Sequence, residues 1–197
     1  MADDDEHGSQ RPGRQPGEAT VEYERLGSGD VEAVARWLAA EPWPFHSEPV
    51  VGLDAARRRL HEDPLDAPAV AAWWLLVAGR RLGLLRVHDL DDPTALFDLR
   101  ITGVARGRGL GTLAVRWLSS HVFATYPHIA RVEAVTRRDN GAMRRVLGRC
   151  GYVKEAHYRD GWPGPGDEVH DAVGYALLRR DWATGTRTPV PWDDEPQ

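Results

Sequence analysis

Residues 106–112, Arg-Gly-Arg-Gly-Leu-Gly-Thr, constrain this chain more than any other segment. They follow a predicted strand, ALFDLRITGV, and lead into an amphipathic helix whose apolar face carries Leu110, Leu113, Trp117 and Leu118. Glycines let the backbone approach a ligand closely, and a helix start offers free N–H groups and a positive dipole end. The segment therefore predicts a turn that binds phosphate groups. It matches neither the Walker A pattern nor the dinucleotide fingerprint, because its glycine spacing is Gly-x-Gly-x-Gly.

Charge is concentrated around this turn. Ten arginines and no lysine lie between Arg100 and Arg149, opposed only by Glu133 and Asp139. The rest of the chain has no such excess, and residues 1–19 and 184–197 together account for the whole net charge of −5. Arginine suits phosphate groups through bidentate pairing, although arginines on helix surfaces are often only solvated. A nucleic-acid partner is disfavoured, because aromatic residues do not alternate with the basic ones.

The order of predicted elements is β-α-α-β-β-β-α-β-α-β-β over residues 20–183. The last two strands are expected at about 152–159 and 169–180, joined by a turn at WPGPGDE. Residues 1–19, an acidic tail, and residues 184–197, a C-terminal tail, carry few large apolar side chains. We expect residues 1–19 to be disordered and 184–197 to be mobile, with Val190 and Trp192 able to dock on the surface.

Two motifs, one at residues 106–111 and the other at residues 140–152, resemble motifs of the GNAT superfamily of N-acetyltransferases. Arg106, Gly109 and Gly111 match its Gln/Arg-x-x-Gly-x-Gly/Ala pattern. Asn140 matches the Asn after its fifth strand, and Gly151-Tyr152 stand where its Gly-Phe ends the next helix. The segments KEAHYRDGW and DAVGYALLRRDW look like the RimJ/RimL-type branch. The resemblance spans residues 20–183 and implies an α/β (α+β) fold, with a mixed, mostly antiparallel sheet of six to seven strands flanked by about four helices.

The resemblance implies acetyl-CoA as co-substrate and a small-molecule amine or a protein N-terminus as acceptor. By position, the backbone of residues Leu99, Arg100 and Ile101 would pair with the pantetheine arm, and Asn140 would lie near the thioester. Arg145 is a further candidate phosphate ligand. The pyrophosphate would be held at Arg106 and at the residues of the turn that follow it, Gly107, Arg108, Gly109, Leu110, Gly111 and Thr112.

Two alternatives to this function stay open. One is an aminoglycoside or polyamine acetyltransferase, for which acidic residues in the acceptor loops would suit a polycation. The other is a non-catalytic domain that only senses acyl-CoA. It is supported by Leu147, which stands where many GNAT enzymes place a tyrosine acid. The group that protonates the leaving thiolate is therefore open as well.

Candidate catalytic residues follow from the chemistry of amine attack. Glu133 is the first candidate base, because a carboxylate in a central strand costs energy unless it is paired; an ion pair with Arg131 or Arg100 is the alternative. Asp98 lies on the same strand face as Arg100, which favours pairing between them. The loop residues Trp43, Phe45 and His46 are candidates for the acceptor site, with His46 also a candidate base. Trp162 is a similar candidate for the pocket wall.

Cysteine content and hydropathy bound the remaining possibilities. Cys150 is the only cysteine, so no intramolecular disulfide or cysteine-based zinc site can form, and we expect no metal. The N-terminus is hydrophilic and acidic, unlike a signal peptide, and the longest apolar run, residues 69–79, is too short to span a membrane. We therefore expect a cytoplasmic protein without a membrane partner. The sequence does not fix the oligomeric state, and a homodimer is consistent with it.

Overall fold

A computed structural model describes residues 20–192 of the chain. This part contains one seven-stranded sheet, five α-helices and two short 3₁₀ turns. The strands and the first four helices follow the predicted order, and the fifth helix is an addition to it. No helix in this range is both long enough and apolar enough to cross a bilayer. The elements are β1 (Val21–Arg25), α1 (Val31–Ala39), α2 (Leu53–Glu62), β2 (Ala71–Val77), β3 (Arg80–His88), β4 (Thr94–Ile101), α3 (Leu110–Thr125), β5 (Arg131–Arg137), α4 (Gly141–Arg149), β6 (Val153–Pro163), β7 (Val169–Leu178) and α5 (Arg179–Thr184).

The sheet has the order β1-β2-β3-β4-β5-β7-β6, and only the β4–β5 pair is parallel. It separates two apolar clusters because side chains alternate between its faces. On β2, Trp73 and Leu75 pack with the α3–α4 side, whereas Trp74 and Leu76 pack with the α1–α2 side. Burial on both faces explains why residues 71–77 read as an unbroken apolar run. The predicted mixed, mostly antiparallel fold is confirmed.

Two boundaries differ from the sequence prediction. Strand β6 continues to Pro163, past a bulge between Tyr158 and Trp162 and a positive φ of 53° at Asp160. Trp162 therefore lies in a strand and pairs with His170, where a loop was predicted. The last strand ends at Leu178, and a six-residue helix, α5, follows it.

The described part of the C-terminal segment contacts the domain. Asp181 is buried and accepts hydrogen bonds from the backbone N–H and the hydroxyl of Thr188, both at 2.8 Å. The ammonium of Lys154 lies 5.4 Å from the centre of the Trp192 ring, which agrees with the predicted docking of that residue. The acidic segment 1–19 lies outside the described residues, so its predicted disorder stays a prediction, as do the domain boundaries.

Tyr152, at the position of the Gly-Phe aromatic, fixes the start of β6 against α3. It is buried, and its hydroxyl lies 2.8 Å from Oγ of Ser119, which also donates to the carbonyl of Val115. We expect Tyr152→Phe to lower the free energy of unfolding by about 1 kcal/mol, because one buried hydrogen bond is lost while Ser119 keeps its other partner. Urea unfolding measures this, with Tyr158→Phe at a half-exposed site as control. Equal losses in the two variants would contradict the assignment.

Candidate active site in the cleft between β4 and β5

The two central strands separate part-way along their length. Parallel pairing joins β4 and β5 at three positions, from Thr94–Arg131 to Leu96–Glu133, and at no later position among the described residues. Strand β4 nevertheless continues to Ile101, paired with Gly83 of β3 on its other edge. From Phe97 onward the backbone edge of β4 that faces β5 therefore has no partner strand. Such an edge can pair with an extended ligand.

The glycine turn lies at the open end of this cleft. Gly107 and Gly109 have φ values of 73° and 83°, a backbone conformation that favours glycine, and Gly109 is the N-cap of α3. The backbone N–H groups from Gly107 to Gly111 donate no hydrogen bond within residues 20–192, whereas Thr112 donates to the Gly109 carbonyl at 3.0 Å. Five consecutive free donors at the positive end of a 16-residue helix form an anion-binding site.

A cavity of about 380 Å³ connects the turn, the cleft and the loop between α1 and α2. Among residues 20–192, no aspartate or glutamate lines it. The cavity includes most of the residues predicted to bind the co-substrate and three predicted to border the acceptor: Leu99, Arg100, Ile101, Arg106, Gly107, Gly109, Leu110, Gly111, Thr112, Asn140 and Arg145, with Trp43, Phe45 and His46.

Arg106 and Arg108 differ from the other predicted ligands. The guanidinium of Arg106 donates to the Ile101 carbonyl at 2.9 Å and lies 3.7 Å from the carboxylate of Glu41. It therefore ties the α1–α2 loop to the end of β4, although it also lines the cavity. Arg108 lines a neighbouring groove with Leu113 and does not line this cavity. Whether either side chain contacts a phosphate stays a prediction.

Helix α4 supplies cavity residues that sequence reasoning missed. Arg149 lines the cavity together with Arg145, one turn earlier on the same face. Met143 and Val146 of the same helix also line it, and both pack in part against the core. The four-residue spacing of the two arginines was the available signal for Arg149. The helix fits tightly against α3, because a Cβ on Gly111 would lie 3.2 Å from Cγ2 of Val146.

Asn140 holds the start of α4. Its Oδ1 accepts from the backbone N–H of Met143 at 3.1 Å, and its Nδ2 donates to Oγ1 of Thr136 at 3.0 Å. The side chain is therefore an N-cap, and contact with the co-substrate stays a prediction. Leu147, which replaces the usual tyrosine acid, is fully buried in the core. It supplies no proton donor to the cavity.

His46, Asp98 and Arg100 form a linked polar group on the α1–α2 side of the cleft. Nε2 of His46 lies 3.1 Å from Oδ1 of Asp98, and Nε of Arg100 donates to Oδ2 at 3.3 Å. Burial opposes the charge on Asp98, but the hydrogen bonds and charges of His46 and Arg100 outweigh it and lower the pKa of this carboxyl. The predicted Asp98–Arg100 pair is confirmed. An ionised Asp98 favours the His46 tautomer that carries its proton on Nε2, which leaves the lone pair on Nδ1.

Two other arginines, Arg59 and Arg86, lie close enough to Arg100 to affect its charge. Burial lowers the pKa of its guanidinium, and the neighbouring charges of Arg59 and Arg86 lower it further, against the opposing effect of Asp98. The Arg100 group also lies 5.5 Å from the centre of the Trp43 ring. Arg59 and Arg86 are themselves paired with Glu48 and Asp63, and Arg100 is paired with Asp98, so each of these three cations has one carboxylate partner.

Four predicted site residues lie outside the cavity lining: Asp98 and Arg108, described above, and Glu133 and Trp162. Glu133 pairs with Nη2 of Arg131 at 2.5 Å, and the same nitrogen contacts Glu155 at 2.6 Å. The alternative of an ion pair with Arg131 is thus what the structure contains, and a role for Glu133 as base stays a prediction. Trp162 lies on β6 with a buried Nε1 that has no hydrogen-bond partner within the described residues. It is not among the residues that line this cavity.

Comparison with known families agrees with this architecture. The model of the acetyltransferase (GNAT) domain matches residues 21–153. The chain belongs to the GNAT acetyltransferase family. The match begins at β1 and ends at the start of β6, so it includes the glycine turn, the separated strands and Asn140.

Individual proteins that are similar to this chain include proteins named as N-acetyltransferases. The chain is 32% identical over 110 residues to the "Putative ribosomal N-acetyltransferase YdaF" of Bacillus subtilis (strain 168), a match that covers 55% of this chain and 59% of that protein. RimJ of Mycobacterium smegmatis, solved with a CoA-disulfide, superimposes with a TM-score of 0.68 at 18% identity, covering 82% of this chain and 83% of that one. Spermidine N-acetyltransferase of Vibrio cholerae, solved with CoA and spermine, gives a TM-score of 0.68 at 16% identity, covering 83% and 98%. The two solved structures show that their fold is shared by this chain, and the ribosomal N-acetyltransferase relative supports the predicted RimJ/RimL-type branch.

Proposed function

We propose that this GNAT domain transfers the acetyl group of acetyl-CoA to an amine. The observation that carries the proposal is the run of N–H groups from Gly107 to Gly111, which are free within the described part of the chain. They lie at the mouth of a cavity that no carboxylate of this part lines. A pyrophosphate suits these donors, and the unpaired edge of β4 at residues 97–101 suits the amide groups of a pantetheine arm. The relatives solved with CoA support the same co-substrate.

Arg145 and Arg149 are proposed to bind the phosphate groups of the co-substrate. We expect the double variant Arg145→Gln/Arg149→Gln to weaken CoA binding about tenfold or more, because two charge-assisted contacts are removed. Titration calorimetry at two salt concentrations measures this, and the salt dependence should become shallower in the variant. Arg58→Gln, at an exposed position of α2 outside the cavity lining, is the matched control. An equal loss in the control would point to a general charge effect.

His46 is proposed as the base, oriented by Asp98. An amine attacks the thioester only as the free base, so a proton must leave it for the base. Nδ1 of His46, the ring nitrogen that does not contact Asp98, is buried and has no hydrogen-bond partner within the described residues, so the α1–α2 loop must shift before this nitrogen can take the proton, directly or through water. The new N–C bond forms first and places negative charge on the carbonyl oxygen; the C–S bond then breaks as the carbonyl re-forms, and the thiolate leaves. A backbone N–H on the unpaired edge of β4 would stabilise that charge. The thiolate then takes a proton from solvent or from the protonated base.

The acceptor is proposed to be a primary amine, on a small molecule or at a protein N-terminus. The names of the relatives cover both classes, a ribosomal N-acetyltransferase and a spermidine N-acetyltransferase. The test is thiol release from acetyl-CoA with a panel of amino acids, N-terminal peptides, polyamines and aminoglycosides. We expect release that depends on one acceptor class.

The second candidate, an acyl-CoA sensor, is favoured by the buried Leu147 in place of a tyrosine acid. It predicts that CoA raises the melting temperature while no amine in the panel releases thiol. That result would overturn acetyl transfer and leave co-substrate binding intact. A soluble cytoplasmic location and a homodimer stay predictions that this assay does not address.

A further inference from the structure

Arg100 lines the cavity and has a largely buried guanidinium, of which one N–H group has no hydrogen-bond partner within the described residues. Its Nε donates to Asp98, whereas its Nη1 is buried and has no hydrogen-bond partner within residues 20–192. A buried charged donor without a partner is costly, so a retained one is often explained by a function. Arg100 lines the cavity, but Nη1 itself is covered by neighbouring side chains, so an acceptor atom of a bound ligand reaches it only when those side chains move.

Carboxylates around the acceptor side of the cavity are already neutralised. They lie in the α1–α2 loop, on β4 and just after β5, and each contacts an arginine. A polycationic amine would therefore find no free carboxylate in this part of the described chain. The pairs are Glu41 with Arg106, Glu48 with Arg59, Asp98 with Arg100, and Asp139 with Arg137.

The aromatic rings of the loop between α1 and α2 also contact arginine side chains. Guanidinium carbons lie 5.5 and 5.8 Å from the centre of the Trp43 ring, from Arg100 and Arg106, and Arg137 lies 5.6 Å from that of Phe45. Aromatic faces are the other common receptors for ammonium groups. Both rings thus already bind cations of the protein itself, which argues against a second ammonium group on the acceptor.

We propose that the acceptor carries a carboxylate close to its reactive amine, and that Nη1 of Arg100 binds this carboxylate. The proposal rests on the acetyl transfer proposed above and specifies its substrate class. One carboxylate, Asp98, contacts His46 through Oδ1 and Arg100 through Oδ2, so the proposed base and the proposed carboxylate receptor are neighbours. A free amino acid and a peptide with an acidic residue near its N-terminus share this chemistry.

The test uses acceptor pairs that differ only in the charge of one group. Free amino acids are compared with their carboxamides, for example β-alanine with β-alaninamide, and Ser-Asp peptides are compared with Ser-Asn peptides. Rates are corrected for the fraction of free amine. We expect kcat/KM to favour the carboxylate member at least about tenfold in one of the two sets, because a charge-assisted contact is lost in its partner. The set that responds identifies the source of the carboxylate.

Arg100→Gln tests the residue. It keeps a hydrogen-bond donor but removes the charge, and we expect it to reduce the preference to less than about threefold. Arg57→Gln, which removes an arginine paired with Glu32 outside the cavity, should leave the preference unchanged. If Arg100→Gln does not fold, Arg100→Lys replaces it, and the ratios measured on the wild-type chain still decide the proposal.

Two results would overturn the inference, and only the second of them would also overturn acetyl transfer. Acetyl transfer with equal rates within every pair, or with a preference for spermidine, contradicts the carboxylate-bearing acceptor and leaves acetyl transfer standing. Binding of CoA without thiol release from any amine contradicts both proposals.

Discussion

Gly109→Asp should reduce CoA affinity at least a hundredfold while the domain stays folded. A Cβ at this position meets no atom within 4 Å, so the new side chain fits sterically and extends into the space before the helix start. There its carboxylate would face the site of the pyrophosphate and would itself accept hydrogen bonds from the free N–H groups of the turn. Competition and repulsion act together, which makes this the largest binding effect we expect from one residue.

Backbone strain needs a control of its own. An aspartate at Gly109 must adopt a φ of about 83°, which costs about 1 kcal/mol in any context. Gly185→Asp places the same residue at a φ of 71°, also in open space, beyond the end of α5. Titration calorimetry should give wild-type affinity for Gly185→Asp. Undiminished affinity in a folded Gly109→Asp variant would contradict the pyrophosphate site.

His46→Gln should lower kcat about a hundredfold or more, with the affinity for CoA unchanged within twofold. General base catalysis contributes about 10²–10⁴-fold, and glutamine can still donate to Asp98 but cannot take a proton from the amine. Asp98→Asn should also lower kcat, because the amide no longer fixes the tautomer of His46. Steady-state kinetics with the best acceptor, at saturating acetyl-CoA, measures both variants.

Glu133→Gln in the same assay decides between the two candidate bases. The sequence favours Glu133, and the structure places it in an ion pair with Arg131 outside the cavity lining. We expect kcat within about threefold of wild type for this variant, because the glutamine keeps a polar contact with Arg131. A larger fall in Glu133→Gln than in His46→Gln would assign the base to Glu133 and leave His46 a binding residue.

Most of the strands and helices were predictable, because each of them has a characteristic pattern in its own local sequence. The unbroken apolar run of β2, the stripe of α3 and the glycine turn all depend on local sequence. The helix α5 was not predicted, since its six residues show no apolar period and the apolar Leu178 occupies its N-cap. The far end of β6 was also missed, because Pro163 and Gly164 are turn signals and the bulge before Trp162 interrupts the alternation.

The site was predictable in proportion to how local its contacts are. Asp98 and Arg100 are two residues apart on one strand face, so their pairing followed from strand geometry. His46 reaches the same carboxylate from 52 residues away, a contact that depends on how the α1–α2 loop packs across the sheet. The contact between Arg106 and Glu41 of that loop was unpredictable for the same reason, because the match of Arg106 to the motif gives no information on loop packing.

The most direct test of the account is a crystal structure of the full chain with acetyl-CoA. We expect the pyrophosphate oxygens within hydrogen-bond distance of the N–H groups from Gly107 to Gly111, and the pantetheine arm along the β4 edge at Leu99–Ile101. The thioester should then face His46. A structure at saturating acetyl-CoA with an empty glycine turn, or with the molecule bound elsewhere, would contradict the account.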